Sequence, residues 1–597
     1  MAPGPRFAPP RVEVQPLPAG GLLLRSPLPL NPHARALGDL LERWAAAAPA
    51  RTFLTEQLPG AAPRAVTYGE ALASVRALAA ALLGLGLGPT RPLVLLSDND
   101  IDHALLQLAA LHVGIPVVPV SPAYSLLSRD LARLHYILTL VRPGAVYAAD
   151  GVAYARALAL AAELDPPPHR FVRHGATRGL VPLDTLLATP PDDAVDRAFR
   201  ALTPDTVAKI LFTSGSTGMP KGVINTQRML CSNQEALAQL WPFVAERPPV
   251  VVDWLPWSHT FGGNHNFNLV LRHGGTLHID SGRPQPGRIE HTIERLRGAS
   301  PTLYFNVPRG FDLLVGFLEE DAALAERFFA ELDLLFYAAA ALPEVLWQRL
   351  RRMAERARGR AVPFVSAWGA TETAPLVTLV HYGLEHAGNI GLPAPGCELK
   401  LAPTGGRLEL RVRGPNVTPG YFAGHGPAGP LVERGASFDA EGFYCTGDAG
   451  RLADAADPAR GVVFDGRLSE NFKLSSGTWV LVGALRIALV GALAPLVQDA
   501  VIAGHDRDFV TALLFPAPGC TRGEVAPRLA EYNRAHPGSS QRVARALLLG
   551  EPPSIDAGEI TDKGYINQRA VLARRAAEVE RLYAEPPDDA VIALLEG

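Results

Sequence analysis

Hydrophobic and polar positions alternate between helical and strand spacing over roughly the first 395 residues. Some segments carry apolar side chains on one face at the helical period, and others are short continuous apolar runs typical of buried strands. The predicted helices are 69–85, 102–114 and 289–298, and the predicted strands are 91–97, 115–122, 250–256 and 301–308. Strands and helices that follow one another in this way predict a doubly wound, mostly parallel α/β architecture.

The pattern changes after about residue 395. Residues 406–414, GRLELRVRG, alternate apolar and charged side chains at a period of two, which indicates a half-exposed antiparallel strand. Further strand signals follow at 499–506 and 509–516. At 597 residues the chain is too long for one ordinary core. We expect an N-terminal domain over 1–465 and a small α+β C-terminal domain over 466–597.

Composition and charge narrow the class of protein. Hydrophobic residues make up 48% of the chain and charged residues 19%, which is typical of a soluble globular protein. The net charge of -3 gives no electrostatic reason to expect nucleic acid or an anionic membrane as a partner. The four cysteines form no CxxC pair, which argues against a zinc site or a disulfide framework. No hydrophobic signal segment or membrane span is seen near the start, so we expect a cytoplasmic protein without membrane insertion. The Pro-rich first 35 residues are predicted to form an extended arm.

A short Gly/Ser/Thr-rich segment, ILFTSGSTGMPKG at 210–222, has the composition of a phosphate-binding loop. Glycines let the backbone turn so that successive N–H groups form an anion-binding concavity, and a lysine adds a positive charge. The candidate ligands are Thr213, Ser214, Gly215, Ser216, Thr217, Gly218 and Lys221. The spacing fits neither the Walker A loop nor the dinucleotide Gly-x-Gly-x-x-Gly pattern. A plain linker is a poor alternative, because the segment follows a predicted buried strand and ends in Pro-Lys-Gly.

Three further motifs follow in order: WGATE at 368–372, YCTGD at 444–448 and GRLSENFKLSSG at 466–477. Together with the loop they resemble the acyl-adenylate-forming superfamily over nearly the whole chain. That superfamily comprises acyl- and aryl-CoA synthetases, peptide-synthetase adenylation domains and luciferases. Other segments resemble bacterial feruloyl-CoA synthases, namely INTQRMLCSNQ, LPWSHTFGGNHNFNLVL, HIDSGRPQPG and GEITDKGYINQRAVL.

The resemblance implies a two-step reaction that uses ATP, Mg²⁺ and CoA. A carboxylate attacks the α-phosphorus of ATP and releases pyrophosphate, and the CoA thiolate then displaces AMP. Since the substrates supply both nucleophiles, the protein has to position them and neutralise charge. The implied fold is a large α/β domain with parallel sheets and a distorted β-barrel, followed by a mobile C-terminal lid.

The motifs also imply residue roles. Glu372 would bind Mg²⁺ and Thr371 would contact phosphate, while Trp368 would offer a flat face near adenine. Asp448 would accept both ribose hydroxyls, and Arg467 would add a second contact. The remaining nucleotide-site candidates are Gly369, Ala370, Ala338, Ala339, Ala340 and Lys473.

For the acid, the resemblance implies that His259 lies beside the acyl group and the pantetheine tunnel. We expect an aromatic acid pocket lined by Trp257, Phe261, Phe305 and Asn306.

The C-terminal lysine that assists adenylation in relatives is displaced in this chain. Relatives carry Thr-x-x-Gly-Lys, but here Thr561 and Gly564 are followed by Tyr565, so Lys563 is the candidate. The hinge position, commonly Asp or Lys, is Ser469.

Several alternatives remain open at this stage. The preferred interpretation is a CoA ligase for ferulate or a similar hydroxycinnamate, acting as a monomer or homodimer. A CoA ligase for another aromatic or fatty acid has the same motifs. The shifted lysine also allows a pseudoenzyme that binds nucleotide without turnover, whereas an adenylation domain that loads a carrier protein is disfavoured.

Overall fold

The computed structural model describes residues 5–57, 62–213, 218–285, 287–338, 342–383, 388–426, 429–561 and 566–594. Two large β-sheets and a smaller C-terminal sheet organise these residues. The α-helices are Leu37–Ala47, Tyr68–Gly84, Ile101–His112, Ala123–Leu126, Ala132–Val141, Ala155–Ala162, Leu183–Leu187, Asp193–Ala201, Gln227–Leu240, Phe267–His273, Ile289–Gly298, Pro308–Glu320, Ala322–Ala330, Glu344–Arg358, Val482–Leu493, Arg522–Ala535, Gln568–Arg574 and Ala576–Tyr583. A π-helix, Phe261–Asn266, and short 3-10 turns at Pro18–Gly20, Pro242–Ala245, Thr371–Thr373, Gly435–Ser437 and Pro458–Arg460 complete the helical segments.

One sheet carries the predicted phosphate loop. Its strands lie in the order Gly429–Glu433, Tyr421–Gly426, Lys221–Thr226, Val207–Thr213, Val117–Pro119, Leu93–Leu96, Ala145–Asp150, His169–His174 and Val181–Pro182. The strands from Val207–Thr213 onward in this order pair in parallel, as the alternation of strand and helix predicts. The first three are antiparallel.

The other large sheet has a parallel half and an antiparallel half. Its order is Glu13–Pro16, Leu22–Arg25, Glu398–Thr404, Arg407–Arg413, Tyr444–Leu452, Val462–Arg467, Asn389–Pro393, Leu376–Leu379, Phe364–Gly369, Leu334–Tyr337, Leu303–Asn306, Val250–Asp253, Thr276–Ile279, Thr52–Glu56 and Arg64–Thr67. The five central strands from Phe364–Gly369 to Thr276–Ile279 pair in parallel. Their carboxyl ends meet at one edge, which is where open α/β sheets bind ligands.

The main core lies between the two large sheets. It joins apolar side chains of both sheets to the helices Leu37–Ala47, Tyr68–Gly84, Ile101–His112, Gln227–Leu240 and Phe267–His273. Separate clusters cover the outer face of each sheet, so both sheets have helices on two sides. Helix Tyr68–Gly84 begins at a capping box in which Thr67 Oγ1 accepts from the backbone N of Glu70 at 3.2 Å.

The predicted N-terminal arm is instead part of a sheet. Glu13–Pro16 and Leu22–Arg25 form an antiparallel hairpin, and Leu24 pairs with Leu399 of the strand Glu398–Thr404. Leu24 is fully buried. The Pro-rich composition obscured a short apolar run, GLLLR, which forms the second strand of this sheet.

The C-terminal region packs around apolar clusters of its own, drawn from residues between 472 and 594. It contains a short hairpin, Phe472–Lys473 with Trp479–Val480, and a sheet of Val497–Ala503, Val510–Pro516, Val543–Leu548 and Val591–Ala593. Within the described ranges, none of the helices has both the length and the apolar content needed to cross a bilayer.

Candidate active site

The predicted phosphate loop connects two antiparallel strands of the first sheet. Val207–Thr213 pairs with Lys221–Thr226, and Thr213 lies opposite Lys221 at the mouth of the hairpin. Gly218 has a φ of +157°, and both Gly218 and Lys221 are exposed. Ser214, Gly215, Ser216 and Thr217 lie outside the described residues. The described ends of the loop therefore place Thr213, Gly218 and Lys221 together at the surface.

Glu372 lies in a turn that follows a central parallel strand. The strand Phe364–Gly369 ends at Gly369, where any side chain would collide with the carbonyl oxygen of Pro375. A short 3-10 turn, Thr371–Thr373, then brings Glu372 to the sheet edge, 9% exposed. The glycine of WGATE is thus required by close backbone packing.

Two tyrosines that were not predicted as site residues surround the Glu372 carboxylate. The hydroxyl of Tyr421 donates to Glu372 Oε1 at 3.0 Å and lies 3.3 Å from the hydroxyl of Tyr444. Lys221 Nζ lies 5.2 Å from the centroid of the Tyr421 ring. Burial and the charge of Glu372 raise the pKa of Tyr421 to about 12, and burial raises the pKa of Tyr444 still further. Both hydroxyls therefore stay protonated at neutral pH and can donate.

This carboxylate is suited to Mg²⁺. Across the described parts of the chain, no group of three or more His, Cys, Asp and Glu residues could hold a metal ion. Mg²⁺ in nucleotide-using enzymes is commonly held by one or two carboxylates plus phosphate oxygens and water. A single buried Glu372, whose partner Tyr421 also has Lys221 over its ring, fits that mode and does not fit an all-protein metal cage.

Asp448 joins two of the motifs. It lies in the strand Tyr444–Leu452 opposite Arg467, and its Oδ2 accepts from Trp368 Nε1 at 2.9 Å. Arg467 Nε is 3.6 Å from Oδ1, but Oδ1 has no hydrogen-bond partner among the described residues. Burial raises the pKa of Asp448, although Arg467 and Trp368 oppose the shift. An acceptor held this way fits a ligand hydroxyl such as that of a ribose.

A buried amide network connects the Mg²⁺ candidate region to the segment that carries His259. Asn225 Nδ2 donates to the carbonyl oxygen of Thr371 at 3.3 Å. Asn264 Nδ2 lies 2.7 Å from Asn225 Oδ1 and 3.1 Å from Thr260 Oγ1. Asn225 and Asn264 are fully buried. Sequence reasoning missed both, and the only signal was their presence inside the segments INTQ and GGNHN.

The segment after His259 packs tightly against the chain that precedes it. The backbone N of Gly263 donates to the carbonyl oxygen of His259 at 2.8 Å. A side chain at Gly262 would collide with the carbonyl oxygen of Leu255, and one at Gly263 would collide with that of Trp257. The Gly-Gly pair therefore lets the π-helix Phe261–Asn266 lie directly on this loop.

Two of the predicted pocket residues meet in an aromatic cluster. Phe261 and Phe305 each lie within 5.5 Å of Phe336, measured between ring centroids. His265 lies among them, 5.2 Å from Phe336. Phe305 and Phe336 are opposite each other on adjacent parallel strands. The sequence did not single out His265 or Phe336.

The other two pocket candidates have different neighbours. Trp257 packs against Phe267 at 5.0 Å and against His103 at 5.3 Å between ring centroids. Asn306 Oδ1 accepts from Trp254 Nε1 at 3.2 Å, and Asn306 Nδ2 donates to the Tyr304 hydroxyl at 3.1 Å. The amide of Asn306 is thus committed to protein partners.

The C-terminal region faces the phosphate loop across a cavity of about 510 Å³. Gly218 and Met219 line one side, and Thr561 and Asn567 line the other. Lys563 lies outside the described residues, as do Ala339 and Ala340. The described ends of the segment that contains Lys563 therefore lie next to the phosphate loop.

Direct contacts hold the C-terminal region at this place. The carboxylate of Asp556 accepts from Ser128 Oγ at 2.7 Å and from the backbone N of Arg129 at 3.1 Å. Arg133 also donates to the carbonyl oxygen of Ile555.

The remaining nucleotide-site candidates are Ala338, Ala370 and Lys473. Ala338 follows the strand Leu334–Tyr337 and packs against the main core. Ala370 begins the turn that contains Glu372. Lys473 lies in the C-terminal hairpin, with its Nζ 5.1 Å from the ring centroid of Trp479.

Comparison with known proteins agrees with this architecture. The family model described as "AMP-binding enzyme" matches residues 41–422, and the model "AMP-binding enzyme C-terminal domain" matches residues 474–586. The long-chain-fatty-acid–CoA ligase FadD15 of Mycobacterium bovis is 24% identical, over 87% of this chain and 92% of that protein. The 3-hydroxybenzoate–CoA ligase of an Aromatoleum species is 28% identical, over 76% of this chain and 81% of that protein.

Solved structures share the fold. The anthranilate CoA ligase AuaEII in complex with anthranoyl-AMP superposes with a TM-score of 0.72 at 19% identity, covering 93% of this chain and 98% of that one. The predicted α/β fold with a small C-terminal domain is confirmed, and so is the acyl-adenylate-forming superfamily. Enzymes of this kind use ATP, Mg²⁺ and CoA with a small-molecule acid, as the resemblance implied. The family match extends over well more than half of the residues, and this chain belongs to the AMP-binding enzyme family.

Proposed function

We propose that this protein is an AMP-forming acid–CoA ligase and that its acid is aromatic, with ferulate or a related hydroxycinnamate as the preferred substrate. The observation that carries the proposal is the shared sheet edge. The ends of adjacent parallel strands bring the aromatic cluster at Phe305 and Phe336 beside the strand that leads to Trp368 and Glu372. An acid bound there would present its carboxylate toward the nucleotide groups.

The first step forms the acyl-adenylate. A carboxylate oxygen of the acid attacks the α-phosphorus of ATP, the bond to the bridging oxygen breaks, and pyrophosphate leaves. Asp448 holds the ribose through Oδ1, which has no hydrogen-bond partner among the described residues, and Trp368 orients that carboxylate from the other side. Thr213, Gly218 and Lys221 contact the phosphates. Mg²⁺, when bound, neutralises phosphate charge during this step.

Glu372 is the protein carboxylate that would hold the metal ion. Tyr421 fixes its orientation through the 3.0 Å hydrogen bond to Oε1. Asn225 holds the preceding residue, Thr371, through its carbonyl oxygen. Because Asn225 is fully buried and Tyr421 is half-buried, the turn is held in place before substrate binds, which is what electrostatic stabilisation of a charged transition state requires.

The second step forms the thioester. The CoA sulfur attacks the acyl carbon, and AMP leaves with the carboxylate oxygen that had bonded to phosphorus. We propose that His259 borders the acyl group during this step. Its segment is anchored to the nucleotide side through Thr260, Asn264 and Asn225.

We propose Lys563 as the lysine that assists adenylation and residues 466–597 as the lid that carries it. The support is the cavity that Thr561 and Asn567 share with Gly218 and Met219. The separate apolar clusters of the C-terminal region support a boundary near residue 466. The contacts of Asp556 with Ser128 and Arg129 would have to break when the lid rotates for the second step.

The experiment is thioester formation with ATP, Mg²⁺ and CoA over ferulate, p-coumarate, caffeate, benzoate and a medium-chain fatty acid. We expect the highest kcat/KM with the hydroxycinnamates. Turnover of benzoate or the fatty acid in their place would support the ligase activity and contradict the proposal of a hydroxycinnamate substrate. The fatty-acid alternative is favoured by one specific observation, the 24% identity to FadD15. If no acid supports ATP–pyrophosphate exchange, the ligase proposal itself fails.

A further inference from the structure

One member of the aromatic cluster is a buried histidine with a ring nitrogen that is unpartnered among the described residues. His265 is 1% exposed, and four aromatic rings surround it. Ring centroids of Phe336, Phe305, Phe261 and Trp241 lie 5.2, 5.5, 5.9 and 6.5 Å from that of His265. Among the residues that the structure describes, Nε2 of His265 has no hydrogen-bond partner. Buried polar atoms are rarely left in this state.

The neighbours of His265 determine which ring nitrogen carries the proton. Asn266 Nδ2 donates to Asp253 Oδ2 at 2.9 Å, so its Oδ1 is the acceptor that faces His265. His265 Nδ1 lies 2.9 Å from that Oδ1 and must therefore carry the hydrogen. Burial lowers the pKa of His265 to about 4, so the ring is neutral at pH 7. Nε2 then carries a lone pair and no hydrogen, so it can only accept a hydrogen bond.

Chain connectivity and strand register link the cluster to the segments that carry His259 and Trp368. His265 belongs to the π-helix Phe261–Asn266, which begins two residues after His259. Phe336 pairs with Phe305 on one side and with Val365 on the other, and Val365 lies in the strand that leads to Trp368. An acid whose carboxylate reaches the nucleotide groups would direct the far end of its ring toward this cluster.

We propose that His265 is a specificity residue that accepts a hydrogen bond from a hydroxyl or amino group on the ring of the acid. This inference rests on the proposed function and names the substrate class more narrowly: aromatic acids that carry a hydrogen-bond donor opposite the carboxylate-bearing position. The indole Nε1–H of Trp241 also lacks a partner in the described part of the chain and adds a donor to the same cluster. A hydroxyl can serve both an acceptor and a donor, whereas a hydrogen or methyl substituent serves neither.

The discriminating measurement is a ratio of kcat/KM values for matched acids. The pairs are p-coumarate against cinnamate and 4-aminocinnamate against cinnamate, which keep the distance from the carboxylate to the ring substituent constant. We expect the wild type to favour the donor-bearing acid by at least about tenfold, because a site built to hydrogen-bond a substrate group rejects the analogue that lacks it. His265→Phe should bring the ratio close to one by losing turnover of p-coumarate while cinnamate is still used.

Two further variants separate recognition from core packing. His265→Gln keeps an acceptor and should retain part of the preference. His112→Phe replaces another buried imidazole, which stacks on Phe199 at 4.1 Å between ring centroids, and should leave the ratio unchanged. Turnover of cinnamate by each variant shows that it is folded.

The outcomes separate this inference from the function on which it rests. Turnover of aromatic acids without a preference for donor-bearing rings, or an unchanged ratio in His265→Phe, overturns the role of His265 and leaves the aromatic-acid ligase standing. Failure of the wild type to use any aromatic acid overturns the proposed substrate class. Preference for the 4-amino acids over the 4-hydroxy acids would support the donor requirement and identify the amine as the recognised group.

Discussion

Lys209 is a fully buried lysine, and its replacement by an apolar residue should stabilise the protein in a pH-dependent way. The residue lies in the strand Val207–Thr213 with no exposed surface. Its Nζ donates to the carbonyl oxygen of Gly263 at 3.2 Å, and no ion pair is seen for it among the described residues. Burial lowers the pKa of Lys209 from 10.5 to about 7.

The sign of the effect follows from proton binding. Between pH 7 and pH 10.5 the unfolded chain binds more protons at this position than the folded chain, so stability rises with pH over that window. At about 1.4 kcal/mol per pKa unit, the cost of keeping Lys209 buried is about 4 kcal/mol at pH 7 and about 1 kcal/mol at pH 9.5. Lys209→Met keeps an unbranched side chain and removes this cost, but it loses one hydrogen bond worth about 1 kcal/mol. The net gain should be on the order of 3 kcal/mol at pH 7 and near zero at pH 9.5.

The assay is the thermal midpoint of the variant minus that of the wild type at pH 7.0, 8.25 and 9.5. For a cooperative unit of roughly 465 residues the unfolding entropy is about 1 kcal/mol per degree, so the variant should melt about 3 °C higher at pH 7. That difference should shrink steadily toward pH 9.5.

Lys400→Met is the contrasting control. Lys400 is also buried, but its Nζ lies 2.7 Å from Asp439 and 2.9 Å from Glu441. Removing this amine takes its cation away from the carboxylates of Asp439 and Glu441, so the midpoint should fall. A Lys209→Met variant that melts below the wild type, or whose advantage is the same at all three pH values, would refute the reasoning.

Three further predictions concern the proposed reaction. Lys563→Ala should lower the rate of acyl-adenylate formation by at least about a hundredfold and spare thioester formation from supplied acyl-adenylate; equal loss in both half-reactions would point to another lysine or to misfolding. Glu372→Gln keeps an acceptor for the Tyr421 hydroxyl but removes the charge, so the Mg²⁺ concentration for half-maximal rate should rise at least about tenfold, and an unchanged titration would exclude a metal role. Asp448→Asn should weaken AMP binding, measured by calorimetry, by about tenfold or more, because an amide presents one acceptor and a misplaced donor to a ribose; Asp454→Asn, at an exposed turn, is the matched control and should bind AMP normally.

Much of the fold could be predicted from local pattern. The helical spacing of apolar residues correctly predicted the helices at 69–85 and 289–298, and the short apolar runs predicted strands of the parallel sheets. The predicted ends agree with the observed ones within a few residues. The prediction failed at the N-terminal arm because Leu22–Arg25 gains its stability from a partner strand almost four hundred residues away. A short apolar run cannot indicate such a partner by itself.

The same division holds for the active site. The candidate phosphate loop, WGATE and YCTGD could be proposed from the sequence because each is a short contiguous motif that resembles one in the family. Only the tertiary structure decided that Trp368 donates to Asp448 and that Tyr421 holds Glu372. It also decided that His265 Nε2 lies in an aromatic cluster without a hydrogen-bond partner among the described residues. The physical reason is that hydrogen-bond partners and burial depend on which distant segments pack together, whereas period and motif report only the residues next to one another along the chain.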